Sequence, residues 1–367
     1  MEKRSPKIIF SFMSIGHYRR EPMRLVLEHF GDDLEIFAGR FAVDRSIRTL
    51  GPSDLPMRTL PTYSLSNRIF VQVVPLISYL KVPIFLADLN PRVVHLWPIL
   101  AARRILRKPT ILWGAAWPRK GQDSNTTRLR VAMIKLASSV IIYTDRQARE
   151  LQCVLPAYQI TAAPNSLYLT SQCGFEPDTV RNKFVYVGRI VQDKKVALLI
   201  QAFAQASHEL TDVSLIIVGD GPALEEMRSL AAQLGVAQRV DFRGHVDDVE
   251  ALERIYSLCI GSISPGYVGL SATQSFSFGV PMIVADSEPH SPEIEAVKPG
   301  FNALMFESNS ILELADVMRQ MTIHRDHWHQ KGAGIAEDCR RTYSAEAMAT
   351  GIIRAVSREI DNSCAVL

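Results

Sequence analysis

The run Phe184-Val-Tyr-Val-Gly-Arg-Ile-Val-Gln-Asp-Lys194 decides the fold. Four residues that favour extended backbone end on a glycine, and a polar turn follows. Beyond it, Val196, Leu199, Ile200 and Phe203 recur at helical spacing, so strand, turn and helix follow one another. Val213 to Val218 repeats the strand signal and closes on Gly219-Asp-Gly-Pro222. Pro222 suits the first turn of a helix carrying Leu224, Met227, Leu230 and Leu234. Val240 to Arg243, Cys259 to Ser262 and Met282 to Ala285 add strands, with helical stretches between them. Strands alternating with helices imply a parallel sheet covered on both faces.

The first half repeats this pattern. Lys7 to Met13, Leu34 to Ala38, Val93 to Leu96, Thr110 to Trp113 and Val140 to Tyr143 read as strands. A polar loop (Ser14 to Glu21) and a helix around Pro22 to Phe30 follow the first. Thr161 to Asn182, with Pro164, Gly174 and Pro177, reads as a linker. The tail from Ser344 to Ile360 is an amphipathic helix expected to pack back on the first domain. A length of 367 residues suits two domains. The expected fold is α/β, two Rossmann-like domains facing each other across a cleft. Residues 1–170 are expected to form the first domain, 180–343 the second, and helix 344–367 to return to the first domain.

Apolar residues make up 47% of the chain and charged residues 22%, enough for an ordinary core in each half. Five scattered cysteines without a CxxC pair read as free thiols in a reducing compartment. No signal peptide is evident at the N-terminus, so a cytoplasmic location is expected. The most apolar stretch, Ile69 to Leu86, is broken by Gln72, Pro75, Lys81 and Pro83. It is too interrupted for a membrane span and reads as buried core helix and loop. The first 150 residues carry 24 Lys+Arg against 12 Asp+Glu, although the whole chain has a net charge of only +3. Zinc spacings, aromatic RNA-binding signatures and helix-turn-helix patterns do not occur, which argues against nucleic acid. The basic half can instead meet anionic lipid or a phosphorylated acceptor. Eight cations between Arg103 and Arg130 are the expected contact: Arg103, Arg104, Arg107, Lys108, Arg119, Lys120, Arg128 and Arg130.

In a parallel sheet, ligands bind beyond the C-terminal strand ends. Arg189 and Lys194 follow such an end, and two cations on one turn can neutralise a diphosphate whose negative charge grows as it leaves. Ser264-Pro-Gly-Tyr-Val-Gly-Leu-Ser271 is a small-residue loop entering a helix, a natural place for phosphate. Pro292-Glu293 lies beyond a further strand end.

Together these segments resemble the retaining glycosyltransferases of the GT-B fold, family 4 or group 1, over roughly Ile111 to Met318. The resemblance rests on an ordered set: Val-Gly-Arg with Lys194, Val-Gly-Asp-Gly-Pro, Phe-Arg-Gly-His-Val, Phe-Gly-Val-Pro, Pro-Glu and Gly-Phe-Asn-Ala-Leu. Trp113-Gly114, Ser139 to Asp145 and Ala163-Pro-Asn165 are similar to members that build surface polysaccharide. The resemblance implies that Arg189 and Lys194 grip the donor diphosphate. It implies that Gly244, His245 and Val246 read the base, and that Gly269, Leu270 and Ser271 meet the phosphates. Gly188, Gly219, Asp220 and Glu293 complete the implied donor site. Two family glutamates, one at the donor sugar and one at the ribose, are replaced by Gly266 and Gln274; Gln274 can still bond ribose hydroxyls. A family histidine near the reacting carbon is also absent, leaving His17 and His95 as candidates. Arg19, Arg20 and Trp113 are the candidate acceptor-side residues.

The resulting expectation is a transferase moving a sugar, with retention, from a nucleoside-diphosphate sugar to a glycan or lipid-linked acceptor. Polysaccharide or O-antigen assembly is the expected context. No metal and no cofactor is expected, and the protein is expected at the inner face of a membrane or free in the cytoplasm. Two other readings stay open, a degenerate transferase kept as a scaffold and a nucleotide-sugar epimerase.

Overall fold

The computed structural model describes residues 6–40, 48–65, 68–118, 121–124 and 126–364. The chain divides into two units, Met1–Leu167 with Ala345–Leu367, and Tyr168–Ser344. In the first unit the chain runs β1 (Ile8–Phe12), α1 (Arg20–Phe30), β2 (Leu34–Ala38), β3 (Met57–Thr59), β4 (Thr62–Leu65), β5 (Ile69–Gln72), α2 (Leu76–Lys81) and β6 (Ile84–Asp88). It continues through α3 (Leu96–Ile105), β7 (Thr110–Gly114), α4 (Thr127–Ile134), β8 (Ser139–Ile142), α5 (Asp145–Val154) and β9 (Gln159–Ala162).

Seven of these strands form a sheet in the order β3-β2-β1-β6-β7-β8-β9, every pair parallel. Strands β4 and β5 form a separate antiparallel hairpin. Successive side chains on a strand point to opposite faces, so β1 feeds two cores. Phe10 and Phe12 pack on one face with Met23 and Val26 of α1, while Ile9 packs on the other with Tyr79, Phe85 and Leu100.

The second unit runs β10 (Lys183–Val187), α6 (Val196–Ala206), β11 (Ser214–Val218), α7 (Leu224–Gln233), β12 (Val240–Gly244), α8 (Val249–Tyr256) and β13 (Cys259–Ser264). Then come α9 (Ser271–Ser277), β14 (Met282–Ala285), β15 (Ala303–Phe306), α10 (Ile311–Ile323) and α11 (Arg325–Tyr343). Its six strands are all parallel, in the order β12-β11-β10-β13-β14-β15. The last helix, α12 (Ala345–Cys364), belongs to the first unit. It lays Met348, Ile352 and Val356 at helical spacing into the core that holds Phe10 and Met23. Gly351 allows the close approach, since a Cβ there would lie 2.7 Å from the Ala162 carbonyl oxygen.

Three readings of the sequence are corrected here. Val93 to Leu96 is not a strand: Val93 makes an isolated bridge to Phe70 and Leu96 opens α3. The strand in that part of the sheet is β6, which follows Pro83 and is buried along most of its length. Ile69 to Leu86 is not buried helix and loop but strand, short helix and strand, with Ile69, Val73, Leu76 and Ile77 exposed. Of the eight cations, not all reach the surface. Arg103 is buried, Arg130 is half-buried, and Arg119 and Lys120 lie outside the described residues.

Arg103 is a structural staple. Its Nε donates to Thr110 Oγ1 at 2.8 Å, Nη1 to the Tyr79 and Val82 carbonyls, and Nη2 to those of Pro83 and Pro109. All five donors of the guanidinium are satisfied. Burial still presses its pKa down to about 10.

Candidate functional site

Glycine packing builds the strand-end edge of the second unit. Gly219 has φ +139°, and a Cβ on it would come within 1.8 Å of the Gly188 carbonyl oxygen. A Cβ on Gly221 would lie 2.2 Å from the Ile190 carbonyl oxygen. The turn after β11 can therefore lie against the backbone of the turn after β10 only with glycine at 219 and 221. Backbone bonds then lace them together: Gly188 N to Val218 O, Ile190 N to Asp220 O and Gly219 N to Gly244 O. Because the sheet is parallel, the residues after β10, β11, β12, β13 and β14 lie along one edge. Gly188, Arg189, Lys194, Gly219, Asp220, Gly244, His245, Val246, Gly266, Gly269, Leu270, Ser271 and Glu293 all belong to these connections.

Two cations converge there on Tyr267. Arg189 Nη2 donates to its hydroxyl at 2.9 Å. Lys194 Nζ donates to its backbone carbonyl at 2.8 Å and stands 3.5 Å from its ring centroid. Sequence reasoning passed over Tyr267, although it sits inside the quoted loop. His290 holds that loop in place. Its Nδ1 accepts from Val268 N at 2.9 Å and its Nε2 faces Ala285 O at 3.0 Å, an arrangement that suits the neutral ring. Burial lowers its pKa, chiefly opposed by the Ala285 carbonyl. His245, exposed on the loop after β12, pairs with Asp247 at 2.7 Å.

The positions of the two replaced glutamates have physical explanations. A Cβ at Gly266 would lie 2.4 Å from Asp193 O, so the turn that carries Lys194 occupies the space of any side chain. Gln274 is bonded to two tyrosines of its own unit. Its Nε2 donates to Tyr168 Oη at 2.7 Å, and Tyr256 Oη lies 3.5 Å from its Oε1. Ser271 opens the seven-residue helix α9, and Gly269 and Leu270 lie in the loop just before it.

The first unit carries its own cluster at the ends of β1, β6 and β7. A cavity of about 270 Å³ is lined by Met13, Arg19, Asp88, Arg92, Trp113 and Arg130 among others. Arg19 is 7% exposed and stacks on Trp113, its Cζ 4.4 Å from the ring centroid. Its Nη2 donates to Tyr143 Oη at 2.8 Å and to Asn165 Oδ1 at 3.4 Å. Burial opposes its charge, but Tyr143, Tyr18 and Asp88 more than offset this and hold its pKa above the ordinary range. Burial pushes Asp88 up to about 6, against the Met13 N–H and Arg19. Asp88 is the sole acidic residue between Asp54 and Asp123, at the end of an apolar run. That is the signal by which it was findable.

The acceptor-side and histidine candidates scatter around this cluster. Arg19 and Trp113 line the cavity, Arg20 is exposed at the start of α1, and neither histidine is among the lining residues. His17 begins a 3₁₀ turn, its N–H bonded to Arg48 O. His95 Nδ1 accepts from Gln72 N at 3.2 Å, and burial lowers its pKa to about 4. It is therefore neutral near pH 7.

Residues 175–332 match the family described as glycosyl transferases, group 1. A GDP-mannose-dependent phosphatidylinositol monomannoside mannosyltransferase of Mycobacterium tuberculosis is 28% identical over 162 residues, 42% of this chain and 41% of that protein. The lipopolysaccharide core glycosyltransferase LpsE of Rhizobium meliloti is 28% identical over 47% of this chain and 45% of its own length. The chain thus matches less than half the length of these relatives. Among solved structures, Anabaena HepE in complex with UDP superposes with a TM-score of 0.70 at 15% identity, covering 96% of this chain and all of that one. The sucrose-phosphate synthase of Thermosynechococcus elongatus gives 0.65 at 17% identity, covering 97% and 100%. The chain has the two-domain GT-B glycosyltransferase fold, and its residues 175–332 match the family model of the group 1 glycosyl transferases.

Proposed function

We propose that this protein transfers a sugar from a nucleoside-diphosphate donor to a glycan or lipid-linked acceptor, with retention of anomeric configuration. The observation that carries the reading is the convergence of Arg189 and Lys194 on Tyr267 at one sheet edge. As the sugar carbon–oxygen bond breaks, negative charge grows on the leaving diphosphate, and two held cations stabilise that change more than the ground state. The two cations supply this charge themselves, and the reading assigns no metal. The acceptor oxygen then bonds the sugar carbon on the face the diphosphate leaves, and its hydroxyl proton passes to the departing phosphate oxygen as the carbon–diphosphate bond breaks. Relatives named for mannosyl and lipopolysaccharide transfer, and a fold relative solved with UDP, support the class of donor. Polysaccharide or lipopolysaccharide assembly follows from the same names.

The test is turnover of nucleotide sugars by Arg189→Ala and Lys194→Ala. Each is expected to fall roughly a hundredfold or more, the scale of losing one charge-stabilising donor, with melting temperature unchanged. Turnover at the wild-type rate in either variant removes the assignment.

A scaffold role is the second reading, favoured by the filled space at Gly266. Slow donor hydrolysis by the purified protein without acceptor argues against it. We further propose peripheral attachment to an anionic membrane. Between Asp54 and Asp123 the chain carries ten Lys and Arg against the single acid Asp88. Exposed Leu76 and Ile77 of α2, and Ile105 and Leu106 at the end of α3, lie beside exposed Lys81, Arg104 and Arg107.

A further inference from the structure

A buried guanidinium can be judged by what its five N–H donors meet. Arg103 satisfies all five on protein oxygens and needs nothing else. Two other arginines, lining the cavity beside Asp88, do not. Arg19 places one nitrogen on Tyr143 and Asn165, and its Nε is buried without a partner among the described residues. Among the described residues Arg130 uses only Nη1, on the carbonyls of Leu89 (3.1 Å) and Ala115 (2.9 Å). Burial lowers its pKa, as expected for a cation whose charge is not matched nearby. Arg92 stands over the Phe70 ring, 5.4 Å from its centroid, with its Nε 3.5 Å from Asn90 Oδ1.

Three guanidiniums therefore line a cavity of about 270 Å³, Arg19 buried, Arg130 half-buried and Arg92 exposed, and the single carboxylate among the described lining residues, Asp88, is already bonded to Met13 N. Such a surplus is costly in a partly desolvated site unless an anion completes it. Arginine's planar fork matches carboxylate and phosphate, giving charge-assisted bonds about twice as strong as neutral ones. A neutral sugar hydroxyl would bond these donors and leave the surplus in place. The volume lies just below the usual range for small-molecule sites, so it admits a terminal group and not a whole glycan.

We propose that this cavity binds an oxyanion, carboxylate or phosphate, carried by the acceptor, so that the acceptor ends in an acidic sugar or a phosphate-bearing group. The word acceptor rests on the transferase reading; the anion site rests on the cavity alone. The experiment is calorimetric titration of the full chain, saturated with UDP or GDP so that the strand-end edge of the second unit is filled. Two pairs of probes are compared: methyl β-glucuronide against methyl β-glucoside, and glycerol 1-phosphate against glycerol. Binding of one anion, at least tenfold tighter than its neutral partner, is expected, and which pair responds tells carboxylate from phosphate. Arg130→Met and Arg92→Met are each expected to weaken that binding at least tenfold. Arg92 is more peripheral, so its variant reports even where loss of Arg130 unfolds the first unit. Equal binding of the neutral probes, no binding of either anion, or anion binding unchanged in both variants overturns the proposal. The nucleotide step is scored separately: its failure sinks the transferase reading, whereas anion failure with nucleotide bound sinks this one alone.

Discussion

Asp88 and His95 titrate in the same pH range with opposite effects on stability. Asp88 is raised in the folded state to about 6, so the native protein holds its proton more tightly than the unfolded chain. Its contribution is full below about pH 4 and is lost as pH rises through 6. His95 is lowered to about 4, so its contribution is full above about pH 6.5 and is lost as pH falls toward 4. The two slopes oppose each other between these limits. Asp88→Asn keeps an acceptor for Met13 N and removes one slope. Denaturation midpoints from pH 4 to pH 7 should then rise more steeply in the variant, which gains on the wild type near neutrality; parallel profiles would refute this. Arg103→Met takes a donor from five acceptors, of which Pro109 O keeps Phe85 N and Thr110 Oγ1 keeps its bond to Lys108 O; each of the rest costs about 1–3 kcal/mol if left dry, while removing a buried charge returns part of that. A net loss of about 3 kcal/mol is expected in urea denaturation. Gln274→Ala breaks the bonds to Tyr168 and Tyr256 and should lower stability by about 1–2 kcal/mol, leaving nucleotide affinity unchanged.

Among the elements, the glycine turns explain why the second unit was legible before any coordinates. Gly219 and Gly221 have to be glycine because backbone faces backbone across their turns, and that requirement shows as a motif. Gly266→Ala tests the same packing. The new methyl must displace the Gln192–Lys194 turn, so donor turnover should fall at least tenfold while the thermal midpoint moves little. An unchanged turnover would detach Lys194 from the chemistry. The first unit was harder to read because its signals are not local. β6 is a short buried run after a proline, indistinguishable by periodicity from the apolar stretch before it. β15, Ala303–Phe306, is a four-residue edge strand that carries too few residues to show alternation. Arg19, Asp88 and Arg130 are far apart in sequence, and only the sheet brings them around one cavity. Arg189 and Lys194, by contrast, share one turn and were legible together.

For the molecule as a whole, the uneven charge and the exposed apolar residues of α2 and α3 predict binding to anionic vesicles. Each cation near such a surface contributes about 1 kcal/mol, and raised salt screens it. Co-sedimentation should be strong at low salt and weak at high salt, and Ile105→Glu with Leu106→Glu should reduce it at both. Binding indifferent to lipid charge would defeat the idea. The route of the chain sets another constraint. Residues 168–344 form one uninterrupted unit, whereas the other is begun at one end of the sequence and closed by α12 at the other. On the ribosome, the face of β1 and α1 that awaits Met348, Ile352 and Val356 stays open while those 177 residues are made, roughly 10 to 35 seconds at 5–20 residues per second. The unit begun first is thus finished last. Throughout that interval its open apolar face is a target for chaperones, and truncation ahead of residue 345 leaves it exposed for good.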